Sequence, residues 1–380
     1  MHDIIEITEG KTKLFVPKDS LETNAPPMEP AFFNPRAKLS RDFSIIAYSA
    51  FLQNFKGPKI FLDCLAGVGA RSVRVANELE IVEQVFINDV NPSALELAKN
   101  SAKINNTNKC EFSENEACRF LSLHSKRESR GAIVDIDPFG SPSRHLDCGI
   151  RATSHGGMLS VTATDLPVLH GLYQDACKRR YYGVPVRTEY GNEIALRLIL
   201  GCLNLVAGRL DVKIVPLFVQ NNMHYYRIYV QVLVKTDSGD NIGYILHCKS
   251  CGHRKAHNEK INSCEICGAK IEPAGPLWIG ELHDKSFVDK MLSEHENFVV
   301  DKVCQKILLK CQQEIGMPPT YFTLDEISRK NKTAPVSLEK ALERLHKSGF
   351  SASPTSLNPA GFKTNAGIND ILQLLNNQGL

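Results

Sequence analysis

The chain has 380 residues, of which 43% are hydrophobic and 23% are charged, and its formal net charge is +3. This length exceeds what one hydrophobic core fills, so we expect a globular protein of two or three domains. The small positive charge neither indicates nor excludes a nucleic-acid partner, because such a partner needs a local basic face rather than a basic average.

No segment predicts export or a membrane span. The first residues, MHDIIEITEGKTK, contain acids and no apolar signal region, so we expect a cytoplasmic protein. The longest apolar stretches, such as ALRLILGCLNLVAG, carry a charge or are shorter than the about 18 residues that a membrane span needs. We therefore expect no membrane partner, and we favour a monomer.

The first predicted elements in chain order are a hairpin and a helix. EITEGKTKLFVPK places Gly10 between two strand-like halves, which predicts a small hairpin. Ser40 is predicted to cap a helix over RDFSIIAYSAFLQNF, where apolar residues recur at helical spacing.

Short apolar runs then alternate with helical segments over residues 59–164. This alternation predicts an α/β fold, in which parallel strands are covered on both faces by helices. Two later runs, RLDVKIVPLFVQ and HYYRIYVQVLVKT, are joined by NNM and predict an antiparallel hairpin that closes the sheet. The first domain is therefore expected over residues 1–243.

The segment IFLDCLAGVGARS predicts a nucleotide-type site. Its strand ends at Asp63, and the chain turns through Gly67 and Gly69 into a helix. Glycines let the backbone approach a ligand closely, and a helix amino terminus favours negative charge. The dinucleotide fingerprint needs a third glycine where Ser72 stands, which argues against a dehydrogenase.

Three further predicted strands also end in acids, namely Asp89, Glu116 and Asp137. Ligands of open parallel sheets bind at the carboxyl ends of the strands, where an acid after the second strand accepts the ribose hydroxyls of NAD or S-adenosylmethionine. Glu116 with Ala117 would lie beside the adenine. Any one of these acids has about even odds of being only a helix N-cap, but four in register favour a cofactor site.

The stretch AIVDIDPFGSP distinguishes the two cofactors. The amine of a base is a poor nucleophile, because its lone pair is delocalised, and acceptors that hold its hydrogens turn that lone pair toward an electrophile. The Asp137 carboxylate and the Pro138 carbonyl are two such acceptors, and Phe139 offers a face for stacking. This trio predicts methyl transfer to a base. Asp135 has its side chain on the same face as Asp137, so we expect one pKa of the pair to be raised.

These motifs together resemble one enzyme family. NPRAKLSRDFS, DCLAGVGARS, DVNPSA and DIDPFGSP are similar to segments of the tRNA guanine-N2 dimethyltransferases, which place two methyl groups on the guanosine at position twenty-six. The likeness runs across nearly the whole chain. It implies a Rossmann-like class I methyltransferase domain, S-adenosylmethionine as methyl donor and tRNA as substrate.

The resemblance also implies roles for single residues. Arg36 and Arg71 would hold the carboxylate end of the donor, and Phe32 or Phe33 would form a base sandwich with Phe139. With the residues of the strand ends, the implied donor-binding set is Arg36, Asp63, Gly67, Arg71, Asp89, Glu116 and Ala117.

Two other functions remain open from the sequence. A DNA or protein amide methyltransferase with an Asp-Pro-Pro-Phe type motif is disfavoured by Phe139 and Gly140, which stand in place of a second proline and an aromatic residue. A zinc-containing RNA-binding protein with an inactive methyltransferase fold is the other alternative.

The twelve cysteines divide into two groups. Four form two CxxC knuckles, Cys248 with Cys251 and Cys264 with Cys267, which predict a closed structural zinc site in a knuckle over residues 244–275. His247, His253 and His257 are substitutes if one cysteine is not a ligand. Two disulfides or a redox site fit a cytoplasmic chain poorly. The other eight are expected to be ordinary core residues: Cys64, Cys110, Cys118, Cys148, Cys177, Cys202, Cys304 and Cys311.

Residues 276–380 predict a smaller, mostly helical C-terminal domain. A capping box from Thr323 to Glu326 begins one helix, and Gly349 ends another. A possible strand and a wing follow, so the domain resembles a winged helix, with a small helical packing domain as the alternative.

Basic residues beside aromatic ones indicate where a nucleic acid would bind. CKRRYYG places Lys178, Arg179 and Arg180 beside Tyr181 and Tyr182, which suits phosphate contacts, although a charged helix end is the commoner meaning. HRK at 253–255 and a wing lysine, Lys363, are further candidates.

Overall fold

The structure is a computed structural model that describes residues 3–23, 26–234 and 241–376. Its strands, in chain order, are β1 (Ile4–Glu9), β2 (Thr12–Pro17), β3 (Ile60–Asp63), β4 (Gln84–Asn88), β5 (Cys110–Ser113), β6 (Gly131–Ile136), β7 (Thr153–Ala163), β8 (Val212–Asn222), β9 (Tyr225–Val234), β10 (Ile242–His247), β11 (Arg254–His257), β12 (Ala274–Trp278), β13 (Phe322–Thr323), β14 (Ala352–Pro354) and β15 (Gly361–Thr364). The helices are α1 (Asp19–Glu22), α2 (Lys38–Leu52), α3 (Ala70–Glu78), α4 (Pro92–Ile104), α5 (Ala117–Leu123), α6 (Leu146–Ala152), α7 (Leu166–Leu169), α8 (Gln174–Tyr181), α9 (Gly191–Gly208), α10 (Lys285–Glu294), α11 (Val303–Glu314), α12 (Leu324–Asn331), α13 (Leu338–Lys347) and α14 (Ile368–Leu374).

A mixed sheet forms the centre of the fold, with the order β5-β4-β3-β6-β7-β9-β8 among the described residues. The strands from β3 to β7 pair in parallel, and β6 is buried along its whole length, as helices on both faces require. β8 and β9 form the predicted antiparallel hairpin against β7; the last two residues predicted for it, 235 and 236, lie outside the described ranges. The strand order reverses between β3 and β6, which is where open α/β sheets bind ligands.

The amino-terminal segment is a hairpin followed by a helix, as predicted, but the helix begins earlier than Ser40. The Asn34 side chain accepts a hydrogen bond from the Arg36 backbone N–H at 3.0 Å, and a 3-10 turn over Pro35–Ala37 leads directly into α2. Ser40 is buried inside the helix rather than at its cap. The earlier start follows from Pro35, whose fixed φ suits the first turn of a helix.

The apolar stretch considered for a membrane span is α9. Among the described residues it is the one helix that is long and apolar enough to cross a membrane, and 83% of it is buried inside the protein. It packs between β8 and β12, which is the pattern of a core helix. The absence of a membrane partner stays a prediction.

Two smaller sheets follow the central one. β10 pairs with both β11 and β12, so β12 continues this sheet across the domain boundary predicted at residue 275. β13, β15 and β14 form the second sheet, which shares a core with α12, α13 and α14. The Thr323 side chain caps α12 by accepting from the Glu326 N–H at 3.2 Å, which is one half of the predicted capping box. The Glu326 carboxylate pairs with Arg254 instead of completing the box, and Gly349 follows α13 with a φ of +85°, as predicted.

Candidate active site

The turn through Gly67 and Gly69, which follows β3, is hydrogen-bonded to the acid at the end of the second strand, Asp89. We call this turn together with Asp89 the cradle. The Asp89 carboxylate accepts the N–H of Gly67 at 2.7 Å and the N–H of Asn91 at 2.9 Å. Gly69 is at a φ of +71°, and a Cβ there would lie 2.7 Å from the Ala98 Cβ, so a glycine is needed for α3 to pack against α4. The turn therefore presents Asp89, half-buried, at the carboxyl edge of the sheet.

Glu116 lies at the next strand end and caps α5. Its carboxylate accepts the Arg119 N–H at 2.9 Å, and this backbone contact lowers the pKa of the Glu116 carboxyl. Glu116 is therefore a helix N-cap, which was one of the two roles that the sequence left open for it. Its side chain is also exposed to solvent. Ala117 behind it is buried. An exposed cap leaves carboxylate lone pairs available to a ligand, because an ionised carboxylate has about four acceptor sites.

Asp137 is held by an arginine pair. Its side chain is 32% exposed and forms an ion pair with Arg71, and Arg227 Nη1 lies 4.0 Å from its Oδ2. Arg227 also pairs with Asp135 one pleat earlier, and Arg71 Nε lies 3.5 Å from Asp135 Oδ2. Two carboxylates and two guanidinium groups therefore balance in charge beneath the strand end.

The two guanidinium groups change the pKa of the Asp135 carboxyl in the direction opposite to the one predicted. Burial alone would raise the pKa of the Asp135 carboxyl, but the guanidinium groups of Arg227 and Arg71 outweigh it and lower that pKa. The prediction that one pKa of the Asp135 and Asp137 pair is raised is therefore wrong for Asp135. The raised carboxyl is Asp63, whose pKa burial raises to about 7, with the neighbouring Asp135 charge adding to the effect.

The raised pKa of Asp63 predicts a pH-dependent stability. Between the usual value of 3.8 and about 7, the folded state keeps a proton that the unfolded state has released, so the free energy of unfolding falls as pH rises through this window. Asp63→Asn removes this dependence, so between about pH 5 and about pH 8 it should gain about 3 kcal/mol in free energy of unfolding relative to the wild type. Urea unfolding of both proteins at about pH 5 and about pH 8 measures the gain; an equal difference at both pH values would contradict the assignment.

Two aromatic rings lie against each other at the surface. Phe139 is 60% exposed, and its ring centroid is 4.7 Å from that of Phe32 in an edge-to-face arrangement. Phe33 is buried beneath the Arg41 guanidinium, so Phe32 is the partner of the two that the sequence offered. Rings this close leave no room for a base between them, so a sandwich requires that Phe32 and Phe139 separate.

The loop after β6 is tied to the next strand end. Gly140 donates its N–H to the Thr164 hydroxyl at 2.7 Å and accepts the Thr164 N–H at 2.9 Å. The following residue, Asp165, accepts from Arg180 at 2.9 Å and from the buried Tyr181 hydroxyl at 2.6 Å. These bonds place the basic end of α8 beside the loop that carries Pro138 and Phe139.

The basic end of α8 is exposed. Lys178 and Arg179 face solvent, Arg180 is about half exposed while paired with Asp165, and Tyr182 is 51% exposed. Tyr181 is buried, so Tyr182 is the aromatic neighbour at this surface.

Comparison with known proteins identifies the family. A model of the N2,N2-dimethylguanosine tRNA methyltransferase family matches residues 10–376. The chain belongs to this family. Two relatives named tRNA (guanine(26)-N(2))-dimethyltransferase, from Methanobrevibacter smithii and Methanothermobacter thermautotrophicus, are 34% and 33% identical to it over 98% of this chain and 97% and 98% of their own lengths.

A solved structure of this family also matches. Trm1 from Pyrococcus horikoshii, in complex with S-adenosyl-L-methionine, is 28% identical to this chain, with a TM-score of 0.85 over 98% of this chain and 100% of that one. The family resemblance and the α/β methyltransferase fold predicted from the sequence are therefore confirmed.

Two basic residues that were predicted to contact phosphate, Arg254 and Lys363, are buried instead of exposed. Arg254 pairs with Glu326 and lies over the Phe322 ring at 4.1 Å. Lys363 is 4% exposed, and its ammonium lies 3.0 Å from Glu193 on α9. Both predicted phosphate contacts are wrong, because these side chains fasten the C-terminal segment to the rest of the chain.

The four knuckle cysteines come together, and they fit Zn²⁺. Their sulfur atoms lie within 4.8 Å of one another, with Cys248 to Cys267 at 3.5 Å and Cys251 to Cys264 at 3.6 Å. Sulfur atoms at the corners of a tetrahedron around Zn²⁺ are about 3.8 Å apart when each Zn–S bond is about 2.3 Å. The two knuckles also repeat one backbone bond, in which the glycine after each pair donates to the first cysteine carbonyl.

Two cysteines predicted to be ordinary core residues form a disulfide. α5 and α6 pack together and bring the Cα atoms of Cys118 and Cys148 to 5.5 Å, where their sulfur atoms are bonded. The pairing spans 30 residues without a sequence motif, so cysteine spacing alone did not reveal it.

Sequence reasoning also missed Arg227 and Tyr48. Both are fully buried and contact Asp135: Arg227 through its guanidinium and Tyr48 through its hydroxyl. The available signal for Arg227 was a charge inside an apolar strand run, HYYRIYVQ, since such a charge is seldom buried without a partner. Tyr48 carried no comparable signal.

Proposed function

We propose that this chain is a tRNA (guanine26-N2)-dimethyltransferase, which transfers two methyl groups from S-adenosylmethionine to the exocyclic amine of a tRNA guanosine. The observation that carries the proposal is the strand end at Asp137, where a carboxylate fixed by Arg71 lies next to Pro138 and an exposed Phe139. Relatives with this activity in their names match nearly the whole chain.

The donor supplies an electrophilic methyl group when bound. Its binding set in this proposal is the cradle around Gly67 and Asp89, the carboxyl of Asp63, and the α5 amino terminus with Glu116 and Ala117. Arg36 is exposed near the start of α2, where we propose that it meets the carboxylate end of the donor. Arg71, predicted from the family to share that contact, is instead proposed to position Asp137.

Asp137 and Pro138 orient the amine in this proposal. The carboxylate and the carbonyl accept its two N–H groups, which turns the lone pair out of the ring plane, and Phe139 stacks on the base. Each transfer would form a bond from the amine nitrogen to the methyl carbon and break the bond from that carbon to the donor sulfur. The amine would lose one proton in each transfer, and the Asp137 carboxylate is the proposed acceptor of that proton. After the first transfer one N–H remains, so the second transfer relies on a single polar contact.

A labelling experiment tests the proposal. The protein is incubated with S-adenosylmethionine labelled in its methyl group and with unmodified tRNA, and the labelled nucleoside is identified. The control is the same tRNA with adenosine at position twenty-six. We expect dimethylguanosine in the first tRNA and no label at that position in the second. Label in adenine or cytosine would favour the alternative of a DNA or protein amide methyltransferase. The absence of label would favour the inactive RNA-binding protein.

The tRNA is proposed to bind across the basic end of α8. Lys178→Ala combined with Arg179→Ala should weaken tRNA affinity roughly ten-fold and lower the slope of log affinity against log salt by about two, because each residue neutralises one phosphate. Filter binding over a salt series measures both quantities. The matched control is Lys99→Ala with Lys103→Ala on α4, which are equally exposed; an equal loss in both pairs would contradict a specific surface.

The remaining organisation is also proposed. We propose a methyltransferase domain over residues 1–243, a zinc knuckle over residues 244–275 and a winged-helix-like, tRNA-binding domain over residues 276–380. Support for the knuckle comes from the four-cysteine cluster, and support for the last domain comes from the sheet that shares a core with α12, α13 and α14. α10 and α11 pack in the same core as α2, so this support covers only the part of that domain from β13 onward. Cytoplasmic location and a monomeric state stay predictions.

Zinc should be structural in the knuckle. Cys264→Ser removes one of four thiolates, so we expect the protein to lose one Zn²⁺ per chain and the segment around β11 to become sensitive to protease. Metal analysis and limited proteolysis measure the two effects. Cys110→Ser, which changes a cysteine outside the cluster, should leave both unchanged; equal zinc in the two variants would rule out this site.

A further inference from the structure

A second set of metal-ligand side chains lies far along the chain from the knuckle. His283, Cys311 and Glu314 each offer one ligand atom, and these atoms lie within 4.8 Å of one another. His283 precedes α10, while Cys311 and Glu314 are three residues apart on α11, on one face of that helix. All three are buried, with exposures of 5%, 0% and 4%.

His283 is a buried imidazole that makes no hydrogen bond among the described residues, although Glu314 lies at ion-pair distance. Neither of its ring nitrogens makes a hydrogen bond within the described part of the chain, and Nε2 lies 3.6 Å from Glu314 Oε1. A buried polar group without a partner is costly, so such groups usually mark a missing ligand, water or ion. Nitrogen, sulfur and carboxylate oxygen together are the donor set of zinc sites.

The surroundings hold the carboxylate in place. Glu314 accepts hydrogen bonds from the Thr355 hydroxyl at 2.6 Å and from the Ser356 N–H at 3.1 Å, which is the kind of support that orients metal-binding carboxylates. Lys363 lies 3.9 Å from Glu314 and 3.0 Å from Glu193, and Glu193 also pairs with Arg197 at 2.8 Å.

A cavity of about 290 Å³ reaches the cluster. His283 and Glu314 are part of its wall, together with Arg197, Asn241 and Met317. Three protein ligands leave one position of a tetrahedral ion unfilled, and this cavity is large enough to supply a water molecule for it.

We propose that His283, Cys311 and Glu314 bind a second divalent cation of the zinc class, separate from the four-cysteine knuckle. The ion would join the segment before α10 to α11 and, through Glu314, to the loop at Thr355 of the C-terminal sheet. The alternative is a protonated His283 paired with Glu314 and no metal.

Metal content of the full-length protein tests the site. We expect Cys311→Ser and His283→Gln each to contain one Zn²⁺ per chain fewer than the wild type after dialysis against zinc-free buffer. The matched control is Cys304→Ser, which changes an equally buried cysteine two turns earlier on α11 and should keep the full content. Equal zinc in Cys311→Ser, His283→Gln and Cys304→Ser would overturn the proposal.

A second measurement needs no variant. An anomalous difference map at the zinc absorption edge, from crystals of the wild-type protein, should show a peak between His283 and Cys311. A map with a peak at the knuckle alone overturns the second site even if a substituted protein fails to fold.

Discussion

Asp137→Ala should reduce methyl transfer to tRNA by about 10²–10³-fold, with little change in the affinity for S-adenosylmethionine. The substitution removes the carboxylate that is proposed to hold the guanine amine. The fold should survive, because Asp137 is 32% exposed and its partner Arg71 keeps Asp135 at 3.5 Å. Single-turnover incorporation of labelled methyl groups measures the rate, and calorimetry measures donor binding.

Two further variants separate orientation from charge. Asp137→Asn keeps one acceptor oxygen, so its rate should lie between those of the wild type and the alanine variant. Asp147→Ala, which removes an exposed acid on α6 that pairs with Arg151, should retain the wild-type rate. If Asp137→Ala methylated guanosine as fast as Asp147→Ala does, the orienting role of Asp137 would be wrong.

The parts predicted from the sequence are those set by local pattern. Alternating strands and helices, the glycine turn and the paired CxxC motifs each follow from residues close together in the chain, so periodicity and spacing were enough to find them. The position of the strand end at Asp137 likewise follows from the proline and glycine after it.

The parts missed depend on contacts between distant residues. Arg227 meets Asp135 across 92 residues, and Lys363 meets Glu193 across 170, so no local pattern distinguishes these buried charges from solvated ones. Lys363 in the predicted wing was therefore assigned to phosphate, whereas its burial pairs it with the carboxylate of Glu193. The disulfide between Cys118 and Cys148 was not predicted, because it also joins residues that are distant in the chain.

The buried ion pairs of Asp135 with Arg71 and Arg227 should contribute several kcal/mol to the free energy of unfolding. Asp135→Asn removes one of two carboxylates while Arg71 and Arg227 stay charged, and Arg227 is fully buried. Removing one partner of a buried ion pair typically costs about 3–5 kcal/mol, because the remaining charge is left without compensation. Urea titration should therefore show a free energy of unfolding lower by about this amount.

The double variant Asp135→Asn with Arg227→Gln separates stability from function. It removes both charges and keeps hydrogen-bonding groups, so most of the lost stability should return. Methyl transfer by the double variant should be slower than by the wild type, because Arg227 Nη1 lies 4.0 Å from Asp137 and is part of what fixes that carboxylate. A double variant as unstable as Asp135→Asn would show that the charges are not coupled; one that is stable and fully active would show that Arg227 does not position Asp137.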